Sequence, residues 1–187
     1  MDRKEILRYL RTKSKTTDEK ILSLVDTAQE KIIEISEPKT LYRIFDCTVT
    51  DSSLIIGKTE FKSVRLAQHL EGCTRVAVFG ATLGLAVDRL IALTSKENMS
   101  LAMAYQAAAA AYIEEVCDSL EEEIKESCGV LLRSRYSPGY FDLDVTEQRK
   151  LFSIIDITKR IGITLSDSCQ MMPSKSVTAF SGIEDRQ

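Results

Sequence analysis

Over the first 37 residues apolar side chains recur three and four positions apart, the period of helices packed on one side. Ile6, Leu7 and Leu10 share a side within a short helix predicted from Asp2 to Lys13. Thr16-Thr17-Asp18-Glu19 has the spacing of a capping box, Thr16 with Glu19. The helix it opens places Ile21, Leu22, Val25, Ala28, Ile32 and Ile33 on one face, and Pro38 marks its end. From Thr40 the period shortens to that of strands. Leu41–Phe45, Cys47–Val49 and Ser53–Gly57 are strand candidates, with Asp51-Ser52 as a hairpin link. A short helix is predicted from Lys62 to Glu71, ahead of Gly72. Arg75–Phe79 is a continuous apolar run, the pattern of a strand buried on both faces. A turn at Gly80–Gly84 and a helix from Leu85 to about Leu93 follow.

Ser100–Ser127 carries the longest helical pattern. Its first half contains five consecutive alanines and is apolar nearly all round, so it is predicted to be buried on most sides. Its second half, Asp118–Glu126, is acidic and is predicted to face solvent, with Gly129 as the stop. Glu114 lies at the junction, in line with Met103, Ala107, Ala110 and Cys117. Either it begins the solvated half, or it is a carboxylate ending a ridge of small residues that a ligand can approach. Val130–Leu132 is strand-like. Asp144-Val145-Thr146-Glu147 reads as a cap opening a helix with Leu151, Ile154 and Ile155 on one face, and Gly162 ends it. Ile163–Ser166 and Ser176–Phe180 alternate as strands, and Glu184–Gln187 read as a frayed end. Strands and helices do not alternate regularly. The order fits an α+β fold, a mixed or antiparallel twisted sheet packed with helices.

Composition narrows the classes. The 187 residues suit one domain, 1–187, with 1–37 as an N-terminal helical segment. A net charge of −3 without a long basic run argues against nucleic acid and anionic membranes as partners. No apolar run reaches the ~18 residues of a membrane span, nothing resembles a signal peptide, and a cytoplasmic setting is expected. Five dispersed cysteines without a Cys-x-x-Cys pair fit reduced, mostly buried thiols, not a disulfide frame or zinc site. The single histidine, His69, reads as an ordinary residue of a helix surface. Gly80–Gly84 lacks a phosphate-binding fingerprint, so its glycines are assigned to a tight turn and close packing.

Candidate chemistry gathers at Arg133-Ser134-Arg135-Tyr136-Ser137-Pro138-Gly139-Tyr140. Ser137–Tyr140 has the composition of a type II turn, proline presetting the first central position and glycine taking the positive φ of the second. One reading is an exposed turn flanked by charge. The other is a site for a small zwitterion bearing an aromatic base. Arg135 would then fork a carboxylate, Gly139 would allow a close approach to the backbone, and Tyr140 would offer a flat face.

Arg135-Tyr136-Ser137-Pro138-Gly139-Tyr140 resembles the Arg-x-x-Pro-Gly-Tyr signature of the activation (reactivation) domain of cobalamin-dependent methionine synthase. Ala81-Thr82-Leu83-Gly84 resembles that family's Thr-Leu-Gly turn. The alanine-rich helix with Glu114 resembles its central helix, and the segments Ile163–Ser168, Met172-Pro173 and Ser176-Val177 resemble its terminal strands. The resemblance spans residues 75–182. It implies an S-adenosylmethionine-binding module with Glu114, Arg135, Ser137, Gly139 and Tyr140 as ligand contacts. It implies neither a catalytic residue nor a metal ligand on this chain. The implied function is reductive methylation, the reactivation of cob(II)alamin. The cobalamin would be held by a partner, a methionine synthase or another corrinoid protein, with an electron donor of the flavodoxin type.

Three departures from the family pattern stand out. Phe180-Ser181 occupies the place of an aromatic pair, so one ring is missing. The family's early aspartate contact has no clear counterpart, Asp46 being the candidate. The family domain also has further N-terminal elements and a C-terminal tail. Two other functions remain open on the residues alone: an interaction protein that kept the fold and lost the ligand, and a stand-alone methyltransferase, for which no base or acceptor site stands out.

Overall fold

The computed structural model describes residues 1–12, 16 and 18–185. At the N-terminus α1 (Arg3–Tyr9) is capped by the Asp2 carboxylate, which accepts from the Lys4 N–H. The predicted end of this helix at Lys13 lies outside the described residues, as does Thr17 of the expected capping box. The next helix, α2 (Glu19–Ile35), is capped by Asp18, whose side chain accepts from the N–H groups of Lys20 and Ile21. Asp18 thus takes the role predicted for Thr16, because it stands one residue before the first helical turn.

The main sheet has the order β1 (Lys39–Asp46), β5 (Arg75–Thr82), β9 (Ser176–Asp185), β6 (Val130–Leu132), and every pairing in it is antiparallel. A hairpin sheet, β2 (Thr48–Val49), β3 (Ser53–Ile56) and β4 (Thr59–Lys62), and a two-stranded ribbon, β7 (Thr164–Leu165) with β8 (Met171–Met172), complete the strands. The Cys47–Val49 and Ser53–Gly57 candidates do form a hairpin. Strand β4 was not predicted, since the helix was expected from Lys62. Thr59-Glu60-Phe61-Lys62 alternates, with Phe61 fully buried, and α3 (Val64–His69) starts only after it.

Both faces of the main sheet are covered, which is why β5 reads as an unbroken apolar run. Ala77, Phe79 and Ala81 turn to a core shared with α1, α2, α4 (Leu85–Thr94) and α5 (Met99–Cys128). Val76 and Val78 turn to a second core with β3, β4, α3, α6 (Gln148–Ile154) and α7 (Ile157–Ile161). Gly80 and Ala81 continue β5 instead of turning. A Cβ on Gly80 would stand 3.4 Å from the Cδ1 atoms of Ile157 and Ile161, so glycine lets α7 lie close to the sheet.

Three further differences matter for the site. The acidic half of α5 is not wholly solvated: Leu120 and Ile124 are buried, and the Glu121 side chain is only 13% exposed. The helix expected from Asp144 to Gly162 is broken into a 3-10 turn (Val145–Glu147), α6 and α7. Strand β9 runs five residues past Phe180, and Glu184, expected to fray, pairs with Leu131; Arg186 and Gln187 lie outside the described residues. The cysteines are free thiols, Cys73, Cys117 and Cys169 buried, while Cys128 is exposed. No helix among the described residues is long and apolar enough to cross a membrane.

Candidate functional site: the Pro-Gly-Tyr turn against the central helix

The chain leaves β6 and is fastened before it turns. Arg133 donates through Nε to Glu184 and through Nη1 to the His69 carbonyl, both at 2.7 Å. The His69 Nε2 lies 2.7 Å from the Ser134 carbonyl and must carry the proton to bond it. His69 is half-buried at the end of α3 and fastens the loop, a role the sequence did not suggest. Tyr136 then exchanges two backbone bonds with Phe180 of β9, at 2.8 and 2.9 Å.

Ser137–Tyr140 is the predicted type II turn. The Tyr140 N–H donates to the Ser137 carbonyl at 3.2 Å, and Gly139 has φ 93°, a conformation costly to any residue with a Cβ. The Gly139 N–H is spent on the Leu143 carbonyl at 2.7 Å. Asp142 anchors the far side of the loop. Its carboxylate accepts from Ser63 Oγ at 2.5 Å and from the backbone N–H groups of Val64 at 2.7 Å and Arg65 at 3.2 Å, at the start of α3. These bonds hold the Asp142 pKa below its ordinary value, the Ser63 hydroxyl contributing most. Helix α3 thus holds the loop at both ends, through Asp142 at its N-terminus and His69 at its C-terminus.

Arg135 reaches across to α5. Its Nη2 donates to Glu114 at 2.6 Å, and its Nη1 donates to Asp118 at 2.7 Å and to Glu121 at 2.6 Å. These carboxylates stand at i, i+4 and i+7 on one face of the helix. Burial works against the Arg135 charge, but the bonds to Glu114 and Asp118 and the field of Glu121 outweigh it and move its pKa up. Burial raises the pKa of Glu121 in spite of the nearby guanidinium. Behind them the Cys117 thiol is pushed up to about 12 by burial, so it stays protonated and unreactive.

A pocket of ≈ 390 Å³ opens between these parts. Glu114 and Arg135 line it on the α5 side, together with Ser137, Pro138, Tyr140 and Phe141 of the loop. Strand β9 contributes Ser176, Val177 and Thr178, and Tyr136, Gln148 and Met171 complete the lining. Tyr140 and Phe141 are 63% and 84% exposed beside the opening, the Phe141 ring tilted over that of Tyr136 with centroids 6.0 Å apart. Gln148 is nearly fully buried, and its Oε1 accepts from Thr178 Oγ1 at 2.7 Å, fixing one polar group of the lining.

Of the residues singled out in the sequence, Glu114, Arg135, Ser137 and Tyr140 come together at this pocket. Gly139 shapes the turn, and the pocket is lined by its neighbours. Asp46 pairs with Arg75 at the end of the sheet remote from the pocket. Along β9 that end is level with Ile183, five residues or about 17 Å from Thr178. Phe180 points away from the pocket, its ring 4.8 Å from that of Phe61 in the second core. Ser181, in the place of the missing ring, is fully buried with its Oγ 3.3 Å from Glu121 Oε1. Asp118, Glu121, Asp142 and Gln148 had not been singled out. The i, i+4, i+7 spacing could have revealed the first two, whereas Asp142 and Gln148 find their partners only in the fold. Among the described residues no group of three His, Cys, Asp or Glu side chains is placed to hold a metal ion.

Residues 129–186 match the family model described as vitamin B12 dependent methionine synthase, activation domain. That stretch contains the turn, α6, α7 and β9. No curated protein matches the chain at the level of sequence. Among solved structures, the chain is similar to a crystal structure of the MetH reactivation domain bound to AdoHcy. The TM-score is 0.70 at 15% identity, over 94% of this chain and 68% of that one. At that identity the likeness is one of fold: the chain is activation-domain-like in architecture, and its last third carries the family's sequence pattern.

Proposed function

We propose that this chain is an S-adenosylmethionine-binding activation module that serves a cobalamin protein. The observation that carries the reading is the pocket at the Pro-Gly-Tyr turn. It lies largely within the segment that matches the activation-domain family, and it sets a guanidinium, a carboxylate and exposed aromatic rings around one opening. Its volume falls in the range of small-molecule sites, which runs from about 300 to 1,000 Å³. The chemistry fits the ligand. S-adenosylmethionine brings an ammonium, a sulfonium, a carboxylate and an adenine. Glu114 would answer the ammonium or the sulfonium. Arg135, which lines the same opening, would answer the carboxylate. Backbone groups around Ser137 and Gly139 would meet polar edges, and Tyr140 would pack against the ligand.

Bound there, S-adenosylmethionine would supply a methyl group to the corrinoid of a partner after one-electron reduction by a flavodoxin-type donor. The partner would be a methionine synthase or a related corrinoid methyltransferase. On this reading the chain contributes no general acid or base; it holds the methyl donor in place, a proximity effect.

Isothermal titration with S-adenosylmethionine tests the reading, using the wild type, Arg135→Lys and Tyr140→Ala. Saturable binding that weakens in both variants supports it. Restoration of methylcobalamin absorbance in a methionine synthase lacking this domain would test the partner. A second reading is favoured by two observations: Arg135 is already engaged by three carboxylates, and Ser181 stands where a ring is expected. In that reading the chain keeps the fold as an interaction protein and binds no adenosyl compound, and the titration is silent throughout.

A further inference from the structure

We infer that Asp118 is a built-in competitor for the ligand's carboxylate, so that binding exchanges one carboxylate for another on Arg135. The inference rests on the reading that the pocket takes an S-adenosyl amino acid.

The charge around Arg135 is out of balance. One guanidinium faces three carboxylates of α5, at 2.6, 2.6 and 2.7 Å. An amino-acid ligand would add a fourth, and like charges packed around one cation repel. The strain is relieved by releasing the carboxylate that returns to water most cheaply, and the three differ sharply in this. The Glu121 side chain is 13% exposed and has Ser181 as a second partner. Glu114 lines the pocket, where a ligand ammonium would give it a new partner. Asp118 is 66% exposed, does not line the pocket, and has no other hydrogen-bond partner among the described residues. It shares Nη1 with Glu121, so its departure frees one hydrogen of that nitrogen while Glu121 still holds the other. Asp118 is therefore a positioning residue. It keeps the guanidinium extended toward α5 and lowers affinity for a ligand carboxylate in doing so.

The prediction is an unusual direction of effect. Asp118→Asn keeps the shape, removes the charge and should bind AdoHcy more tightly than the wild type. The gain should be roughly two- to five-fold, the range of an exposed ion pair. The test is isothermal titration of the whole chain with AdoHcy and with 5′-deoxy-5′-methylthioadenosine, which has the same nucleoside and thioether but no carboxylate or ammonium. The expected result is tighter AdoHcy binding by Asp118→Asn, unchanged binding of the shorter compound, and a gain that shrinks at about 0.5 M salt. Asp118→Glu, which restores the charge, should return to the wild-type value. If AdoHcy binds both proteins alike, or binds the Asn variant more weakly, or if both ligands gain equally, the exchange is wrong while the pocket reading stands. If neither compound binds either protein, the pocket reading falls and the inference with it.

Discussion

Removing the Arg135 guanidinium puts the α5 carboxylates to a direct test. In Arg135→Ala, Glu114, Asp118 and Glu121 lose their common counter-charge. The cost is uneven. Glu114 and Asp118 are 42% and 66% exposed, and water screens them, so their pairs contribute about 0.2–1 kcal/mol each. Glu121 is 13% exposed and keeps only the Ser181 hydroxyl. Stripping one partner from a buried pair costs about 3–5 kcal/mol, and partial exposure of this cluster brings the expected total to about 2–4 kcal/mol. For a chain of this size that is a fall in Tm of roughly 5–12 °C, read by circular dichroism. The pH dependence carries the sign. Burial already raises the Glu121 pKa in the folded state. A carboxyl raised on folding costs stability above its unfolded pKa, and the cost disappears as the pH falls and the group takes up its proton. Without Arg135 the elevation grows. The deficit should therefore be largest near pH 8 and should narrow toward about pH 5. Arg135→Lys, which keeps the charge but not the fork, should recover most of the stability. A variant within about 0.5 kcal/mol of the wild type at pH 8, or a deficit that widens on acidification, would refute the account of Glu121 as a buried charge held by Arg135.

Other perturbations separate the pocket lining from its scaffold. Tyr140→Ala should leave Tm nearly unchanged, since the ring is 63% exposed, while weakening any adenosyl ligand in titration. Gly182→Ala would place a Cβ 2.8 Å from both Cys73 Sγ and Leu70 Cδ2, and the overpacking should cost about 1–3 kcal/mol by denaturant unfolding. Thr178→Val strands the buried Gln148 Oε1 without its donor and should cost about 1–3 kcal/mol, whereas the double change with Gln148→Leu should recover part of it. Asp142→Ala removes the acceptor at the start of α3, so amide exchange at Val64 and Arg65 should quicken and ligand affinity should fall. The stability Asp142 lends is present above its unfolded pKa and is lost as the pH drops through the lowered folded value.

What the sequence determined by itself was local. The period of apolar residues located α2, α4 and α5, and the unbroken run at Arg75 marked a strand covered on both faces. Pro138 and Gly139 specified their turn, because the ring of one and the missing Cβ of the other leave the backbone little choice. The turn sequence also pointed to Arg135, Ser137 and Tyr140 as the place to look for chemistry. The tertiary structure decided who faces whom. Glu121 reads as one more charge in an acidic run, yet it is shielded, because β9 brings Ser181 and the loop brings Arg135 against that face of α5. His69 and Asp142 grip opposite ends of one loop across 65 and 78 residues of chain, and no local pattern encodes such pairings. Phe180 and Ser181 are neighbours in sequence, but strand geometry sends one ring into the second core and one hydroxyl toward Glu121. Periodicity and turn chemistry depend on a few consecutive residues. The balance of charge at the pocket depends on which distant segments the two cores press together, and only the folded chain settles that.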